Sequence, residues 1–332
     1  MKTRSFLRTS LALGVFAITS VLYAPAFARV PQVAQLTAAP VTKAKAQRDY
    51  IKALPGVGGT IGAAQTAIRH FTPLHGNGPS VYLVAAIHIG EKSYYQHLQH
   101  FLDKQSVVLY EGVRRSRSAA KTKPVRATRP HASRSAKPPV SLYQKFSNAL
   151  NLQFQLDGIH YDRPQFHNSD LDWDTLNALA TKAGPDTQKL LAQLKNSVSG
   201  GPGITQDEQI VDKVLMLSAS TPLVATILRR LLVLGLCEPD KIRGMIGLKP
   251  ETSSTPDSAK KLDSIVINER NKAVLADLKA LLKRSKQNAP TSIRSIAVFY
   301  GAAHMKDIEQ HLVSDLGYRS AETQWITAIE AC

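Results

Sequence analysis

Three ionisable side chains stand at the ends of three β-type apolar runs. Val81 to Ile87 leads into His88, Ser106 to Tyr110 leads into Glu111, and Ile293 to Tyr300 leads through Gly301-Ala302-Ala303 into His304. In open α/β sheets, ligands bind beyond the carboxyl ends of the strands. If the runs are neighbouring parallel strands, two imidazoles and a carboxylate converge on one edge. That set can hold a divalent metal ion or carry out acid–base chemistry.

Other residues could join them. Arg270, in Asn268-Glu-Arg-Asn271, lies early in a helical run from Leu262 to Leu282. A helix packed antiparallel to the strand that follows it starts at that strand's carboxyl edge, so Arg270 can reach the edge that carries His304. A surface ion pair is the other role open to it. Asp170 reads either as a helix N-cap or as a further ligand. His97 and His100 are three apart on a helix, a spacing that suits metal but also a solvent-facing surface. The chain has no Gly-x-Ser-x-Gly turn, and Cys237 sits beside an apolar run, so no covalent nucleophile is expected.

The elements that must position these residues follow from periodicity. Gln65–Thr72 and Ser80–Ile87 are β-type runs, and Pro73 to Pro79 between them is a dense turn signal, which predicts a hairpin. Tyr94, Tyr95, Leu98, Phe101 and Leu102 have helical spacing within Glu91–Lys104. Strand, helix and strand thus follow in the span of one βαβ unit, which places both strand ends on the same edge. Further on, Leu142–Leu152 reads as a helix, Gly158–Phe166 as containing a short strand, and Leu171–Ala183 as a helix. Residues 186–247 read as mostly helical, so a helical subdomain is expected at about 171–247. A polar linker follows at Leu248–Ser258. The chain closes with a strand at Ile293–Phe299, a helix at Met305–Leu316 and a strand within Tyr318–Ile329. The pattern predicts an α/β domain over 65–332, its central sheet mixed but largely parallel, flanked by helices and carrying a mostly helical insert.

The amino end reads as an export signal. Lys2, Arg4 and Arg8 precede an apolar core from Leu11 to Tyr23, and Ala26-Phe27-Ala28 forms a small-x-small cleavage box, so residues 1–28 are expected to be removed. Residues 29–64 are expected to be a flexible lead-in, with glycine-rich Leu54–Gly62 as a loop that fits no phosphate-binding pattern. Thr221–Leu236 carries Arg229 and Arg230 in its middle, which suits a core helix and not a membrane span. No transmembrane helix is expected in the mature chain, which places the protein in the periplasm or outside the cell. In an exported chain the two cysteines, Cys237 and Cys332, permit one disulfide.

The net charge is +17, but it is concentrated. Between Val113 and Val140 stand nine Lys and Arg and no acid, among Ser, Ala, Thr and Pro. Such a segment cannot bury enough apolar surface to offset ordering entropy, so 113–140 is expected to be a disordered insertion, able to meet an anionic envelope surface. No nucleic-acid motif accompanies it, so no specific nucleic acid is expected as partner.

The order and spacing of these motifs resemble the TraB/PrgY/GumN family, which includes the Tiki-type proteases. That family has two Gly-x-x-His motifs. The first is followed by a helix and a strand ending in Glu, and the second is preceded by a helix with an Arg-Asn pair. Ala85-Ala86-Ile87-His88, Leu109-Tyr110-Glu111, Glu269-Arg270-Asn271 and Gly301-Ala302-Ala303-His304 resemble these in turn. Ala85 stands where the family has Gly, and the basic insertion is not a general family feature. The similarity covers roughly 65–112 and 155–327. It implies a fold related to the erythromycin esterase and ChaN-like group, and in one branch a metal-dependent hydrolase. By that implication His88, Glu111, Arg270 and His304 are the site. His88, His304 and Glu111 would hold a divalent ion of the Mn, Co or Zn kind, with a peptide or small molecule as substrate. Glu111 as general base and Arg270 as oxyanion or carboxylate partner are the accompanying roles. The alternative is a non-catalytic envelope protein that binds or sequesters a peptide, haem or metal.

Overall fold

The computed structural model describes residues 50–114, 141–199, 213, 215–216, 221–239, 241, 257–287 and 293–331. The expected signal, the lead-in up to 49, the basic insertion from 115 on, most of the linker at 248–258 and Cys332 lie outside these residues.

In chain order the strands and helices are β1 (Ile51–Pro55), β2 (Ile61–Pro73), β3 (Ser80–Ala86), β4 (Ile89–Gly90), α1 (Lys92–Leu102), β5 (Val107–Tyr110), α2 (Leu142–Ala149), β6 (Gln153–Phe154) and β7 (Phe166–Asn168). A one-turn helix, Gln155–Gly158, lies between β6 and β7. Then come α3 (Trp173–Ala183), α4 (Pro185–Ser199), α5 (Pro222–Cys237), α6 (Asp257–Asp263), a π-helical turn (Ser264–Glu269), α7 (Arg270–Gln287), β8 (Ser295–Gly301), α8 (Ala302–Ser314) and β9 (Tyr318–Glu330).

Seven strands form one sheet. β3, β8, β5 and β7 run parallel in that spatial order. β2 pairs antiparallel with β3 and, along most of its length, with β9. Because β9 takes one edge of β2, β1 and β3 share the other edge end to end. β4 and β6 form a separate two-stranded ribbon. The chain is therefore α/β, with a mixed, mostly parallel central sheet flanked by helices.

Parallel strands covered on both faces read as near-continuous apolar runs, and successive side chains alternate between the faces. Val84 and Ala86 pack with α1, α2 and α5 on one face, where Tyr94, Leu98, Phe146, Leu232 and Leu236 meet Phe299. Val81, Leu83 and Ala85 pack on the other face with Val274 and Leu278 of α7 and Met305, Ile308 and Leu312 of α8. Full burial of each large aliphatic side chain contributes about 1.5–3 kcal/mol, and this seating fixes where α7 and α8 begin.

Three expectations change. First, residues 50–64 are not a lead-in: β1 and β2 form an antiparallel hairpin there. The glycine-rich stretch is its turn, in which Gly58 and Gly59 take φ of 67° and 76°, a region open to glycine without steric cost. Tyr50 anchors the hairpin by donating to Glu309 at 2.7 Å, and Arg69 pairs with the same carboxylate oxygen at 2.6 Å. Second, the described helices within 171–247 do not share one core. Leu176 of α3, Leu191 of α4 and Ile265 share a satellite core, whereas α5 belongs to the main sheet. Arg229, in the middle of α5, pairs with Glu91 and donates to the carbonyls of Glu330 and Leu150, which satisfies a charge on an otherwise apolar helix. Third, the short strand expected within Gly158–Phe166 begins at Phe166. Among the described residues no helix is long and apolar enough to cross a membrane.

Candidate functional site

The parallel register brings the strand ends together. Ala86 of β3 lies opposite Gly301 of β8, and Phe299 of β8 lies opposite Tyr110 of β5. His88 follows β3 by two residues, and Glu111 follows β5 directly. His304 sits in the first turn of α8, whose helix starts at Ala302 as soon as β8 ends. A helical side chain leans toward the helix N-terminus, here back toward the sheet edge.

Glu111 is the hub. Its Oε1 accepts from Arg270 Nη2 at 2.7 Å and stands 3.5 Å from His304 Nε2. Its Oε2 accepts from the backbone N–H of Gly301 at 2.6 Å. A Cβ at residue 301 would stand 3.1 Å from Oε2, tighter than ordinary packing, so glycine permits this close approach. Burial pushes the Glu111 carboxyl up, but Arg270 and His304 outweigh it and hold the group well below the usual carboxylate range.

Arg270 is gripped by a second carboxylate. Its Nε and Nη2 donate to the two oxygens of Asp170 at 2.9 and 2.6 Å, a bidentate fork. Nη1 donates to the Val266 carbonyl at 3.4 Å. Val266 lies in the π-helical turn, and the Arg270 backbone N–H goes to Ile267. Burial alone would lower the guanidinium pKa, but Glu111 and Asp170 raise it, so Arg270 is a fixed cation. Because Nε and Nη2 are committed, it orients Glu111 and is not free to grip a substrate carboxylate by its fork.

Asp170, read as an N-cap or a further ligand, is not the N-cap. The N-cap of α3 is Asp172, which accepts from Thr175 N. Asp170 is 1 % exposed, and besides Arg270 it accepts from the backbone N–H groups of Gly112 and Leu171 at 2.9 and 2.7 Å.

Each histidine is held through Nδ1 by a side-chain amide oxygen. His304 Nδ1 is 2.7 Å from Asn271 Oδ1, and His88 Nδ1 is 3.2 Å from Gln155 Oε1. Asn271 Nδ2 donates to Asp307 at 2.8 Å, and Gln155 Nε2 to Tyr161 at 3.0 Å. His88 packs against Tyr143, ring centroids 4.8 Å apart. Burial lowers the His88 pKa from its ordinary value, Glu111 pulls the other way, and both Arg270 and His304 add to the lowering. His88 is thus within electrostatic reach of the other three, at the same edge. His97 and His100 lie on the exposed face of α1. Cys237 is partly buried on α5, its thiol pushed up to about 12.

Ala85 is fully buried, one residue before the end of β3. The only non-glycine residue with positive φ among those described is Asn151, so alanine at 85 carries no backbone strain. Asn271, Asp307, Gln155 and Tyr161 were not singled out as partners of the site. Only Asn271 had a signal, its place beside Arg270.

The donor chemistry can be tested against a divalent ion. Two ligands at ~2.1 Å from one ion at a tetrahedral angle stand about 3.4 Å apart, close to the His304–Glu111 separation of 3.5 Å. One guanidinium between two carboxylates leaves these three groups a net negative charge. His88 Nε2 makes no hydrogen bond among the described residues. As the side chains stand, no group of three or more His, Cys, Asp or Glu among the described residues is gathered closely enough to hold a metal. The set therefore supplies two donors at a fitting distance and a third at the same edge.

Fold and site together define an α/β protein with a carboxylate–guanidinium–imidazole cluster at the carboxyl edge of its parallel strands. Comparison of the chain with protein-family models, with curated proteins and with solved structures finds no match.

Proposed function

We propose that the protein is an exported hydrolase of a peptide or amide bond, assisted by a divalent metal ion and of the TraB/PrgY/GumN kind. The observation that carries the reading is the pairing of His304 Nε2 with Glu111 Oε1 at 3.5 Å, with the opposite ring nitrogen tied to Asn271. Holding a histidine's second nitrogen in this way orients metal-binding imidazoles.

His304, Glu111 and His88 would hold the ion. Bound there, a divalent cation of the Mn, Co or Zn kind polarises a carbonyl and lowers the pKa of water. Arg270 keeps Glu111 ionised and aimed. A carboxylate held well below its usual range is a poor proton acceptor, because a general base works best with a pKa near the operating pH. That argues against Glu111 as the base. His88, whose pKa is lowered by burial, is neutral at neutral pH, as an imidazole that ligates a metal must be.

A metal-free variant, in which His88 and Glu111 act directly on water and carbonyl, is favoured by one observation: the Glu111 oxygen that faces His304 already accepts from Arg270. One experiment separates the readings. Purified protein is analysed for bound metal and screened against peptide and amide substrates, with and without chelator. Loss of turnover on chelation and recovery with Mn, Co or Zn supports the metal reading. Turnover indifferent to chelator supports the direct one. Binding of peptide, haem or metal without turnover supports the sequestering alternative. His304→Ala should lower kcat/KM by at least about 100-fold; full activity in that variant would reject the assignment.

A further inference from the structure

The amide of Asn271 has two ends of similar shape, and which end faces His304 decides which ring nitrogen carries the proton. The surroundings choose. On one side stand two groups that can only accept: Asp307 Oδ2 at 2.8 Å and the His304 carbonyl at 3.4 Å. The opposite orientation would set the amide oxygen against a carboxylate and a carbonyl. Nδ2 therefore points at Asp307, Oδ1 points at His304, and Nδ1 must donate across the 2.7 Å contact. Glu111 Oε1, also only an acceptor, draws a proton toward Nε2 from 3.5 Å, but the 2.7 Å contact to Asn271 is the closer one, so the neutral ring keeps its proton on Nδ1.

The His88 arm lacks this selection. Its amide, Gln155, meets the Tyr161 hydroxyl, which can donate or accept, so either amide orientation is satisfied. Asp307 lies three residues after His304 on α8, with its side chain 39 % exposed and also 3.8 Å from His311. Asn271 is 1 % exposed. The pair thus carries an acceptor from the surface of α8 to the buried imidazole.

We propose that Asp307 is a positioning residue: through Asn271 it locks His304 in the Nδ1–H tautomer and so commits Nε2 to the cleft. This deepens the reading of the site given above, but its readout does not depend on hydrolysis. The experiment is two-bond ¹H–¹⁵N correlation spectroscopy of the labelled, chelator-treated full chain, recorded as a pH series and read where the spectrum itself shows the His304 ring neutral. The His304 signals are assigned by their loss in His304→Gln. The parent protein should show His304 with the proton on Nδ1. Asp307→Ala and Asp307→Leu should each lower the ratio of Nδ1–H to Nε2–H by about tenfold, the worth of one hydrogen bond to a charged partner. Asp315→Ala, which removes the exposed carboxylate bound to His311, should leave the ratio unchanged.

Rescue distinguishes this from a general loss of structure. An aspartate at 271 has no donor end to misdirect, so Asn271→Asp combined with Asp307→Ala should restore Nδ1–H. An Nε2–H ring in the parent, an unchanged ratio in both Asp307 variants, an equal change in Asp315→Ala, or no restoration in the double variant would each overturn the proposal. A failed search for hydrolysis would not touch it.

Discussion

Glu111 stands between a guanidinium, an imidazole and a backbone N–H, and its ionisation should be visible in stability. Its pKa in the folded protein lies well below the ordinary 4.5, so the unfolded chain takes up this proton first as pH falls. The contribution to stability is complete above about pH 4.5 and is lost progressively as pH drops through the folded value. Thermal midpoints measured from about pH 7 to pH 3 should therefore fall on the acid side. Glu111→Gln should be less stable at neutral pH, where Arg270 loses a partner, and should show a shallower acid slope. An unchanged slope would mean that other groups govern acid unfolding. Glu111 and His304 were legible in the sequence because each ends an apolar run. Asn271 as the partner of His304 was not, because an amide on a helix face has no spacing that announces its contact.

Between elements, the fork from Asp170 to Arg270 ties the loop after β7 to the start of α7. Asp170 is buried, accepts from two backbone N–H groups as well, and leaves a buried guanidinium behind if removed. Breaking a buried pair by removing one partner costs about 3–5 kcal/mol. Asp170→Ala should lose stability of that order in denaturant titration and carry Glu111 out of position with it. A loss below about 1 kcal/mol would show that the two elements are held by packing alone. Arg270 was expected near this edge from the antiparallel packing of its helix. The π-helical turn before it was not expected, since Leu262–Leu282 has unbroken helical spacing, yet that turn carries the Val266 carbonyl that accepts from Arg270.

At the scale of the whole molecule, apolar cores on both faces of the sheet fix the edge that carries the cluster. On one face α1, α2 and α5 cover the strands; on the other, α7 and α8 do. Export remains a proposal, supported by the basic, apolar and small-x-small order of residues 1–28. Intact mass measurement on protein recovered from the envelope or medium should find a chain starting at Arg29. A dominant species that retains Met1–Ala28 would remove both the cleavage and the periplasmic or secreted address.

The sequence alone determined the carboxyl ends of β3, β5 and β8 and the helix α1, because period-2 and period-3.6 burial is written in local residue order. It placed His88, Glu111 and His304 each beyond an apolar strand, and it placed α5 in the core despite Arg229 and Arg230. Only the tertiary structure decided which strands are neighbours. β3 and β5, close in sequence, are not adjacent; β8, some 190 residues further on, lies between them. That insertion brings His304 to Glu111. Strand order depends on which faces bury the most apolar area together, a long-range balance that no local window contains. The same holds for Asp170. Its neighbours in sequence suggest a helix cap, but a buried guanidinium a hundred residues away is the stronger partner, because a charge taken out of water must be paired.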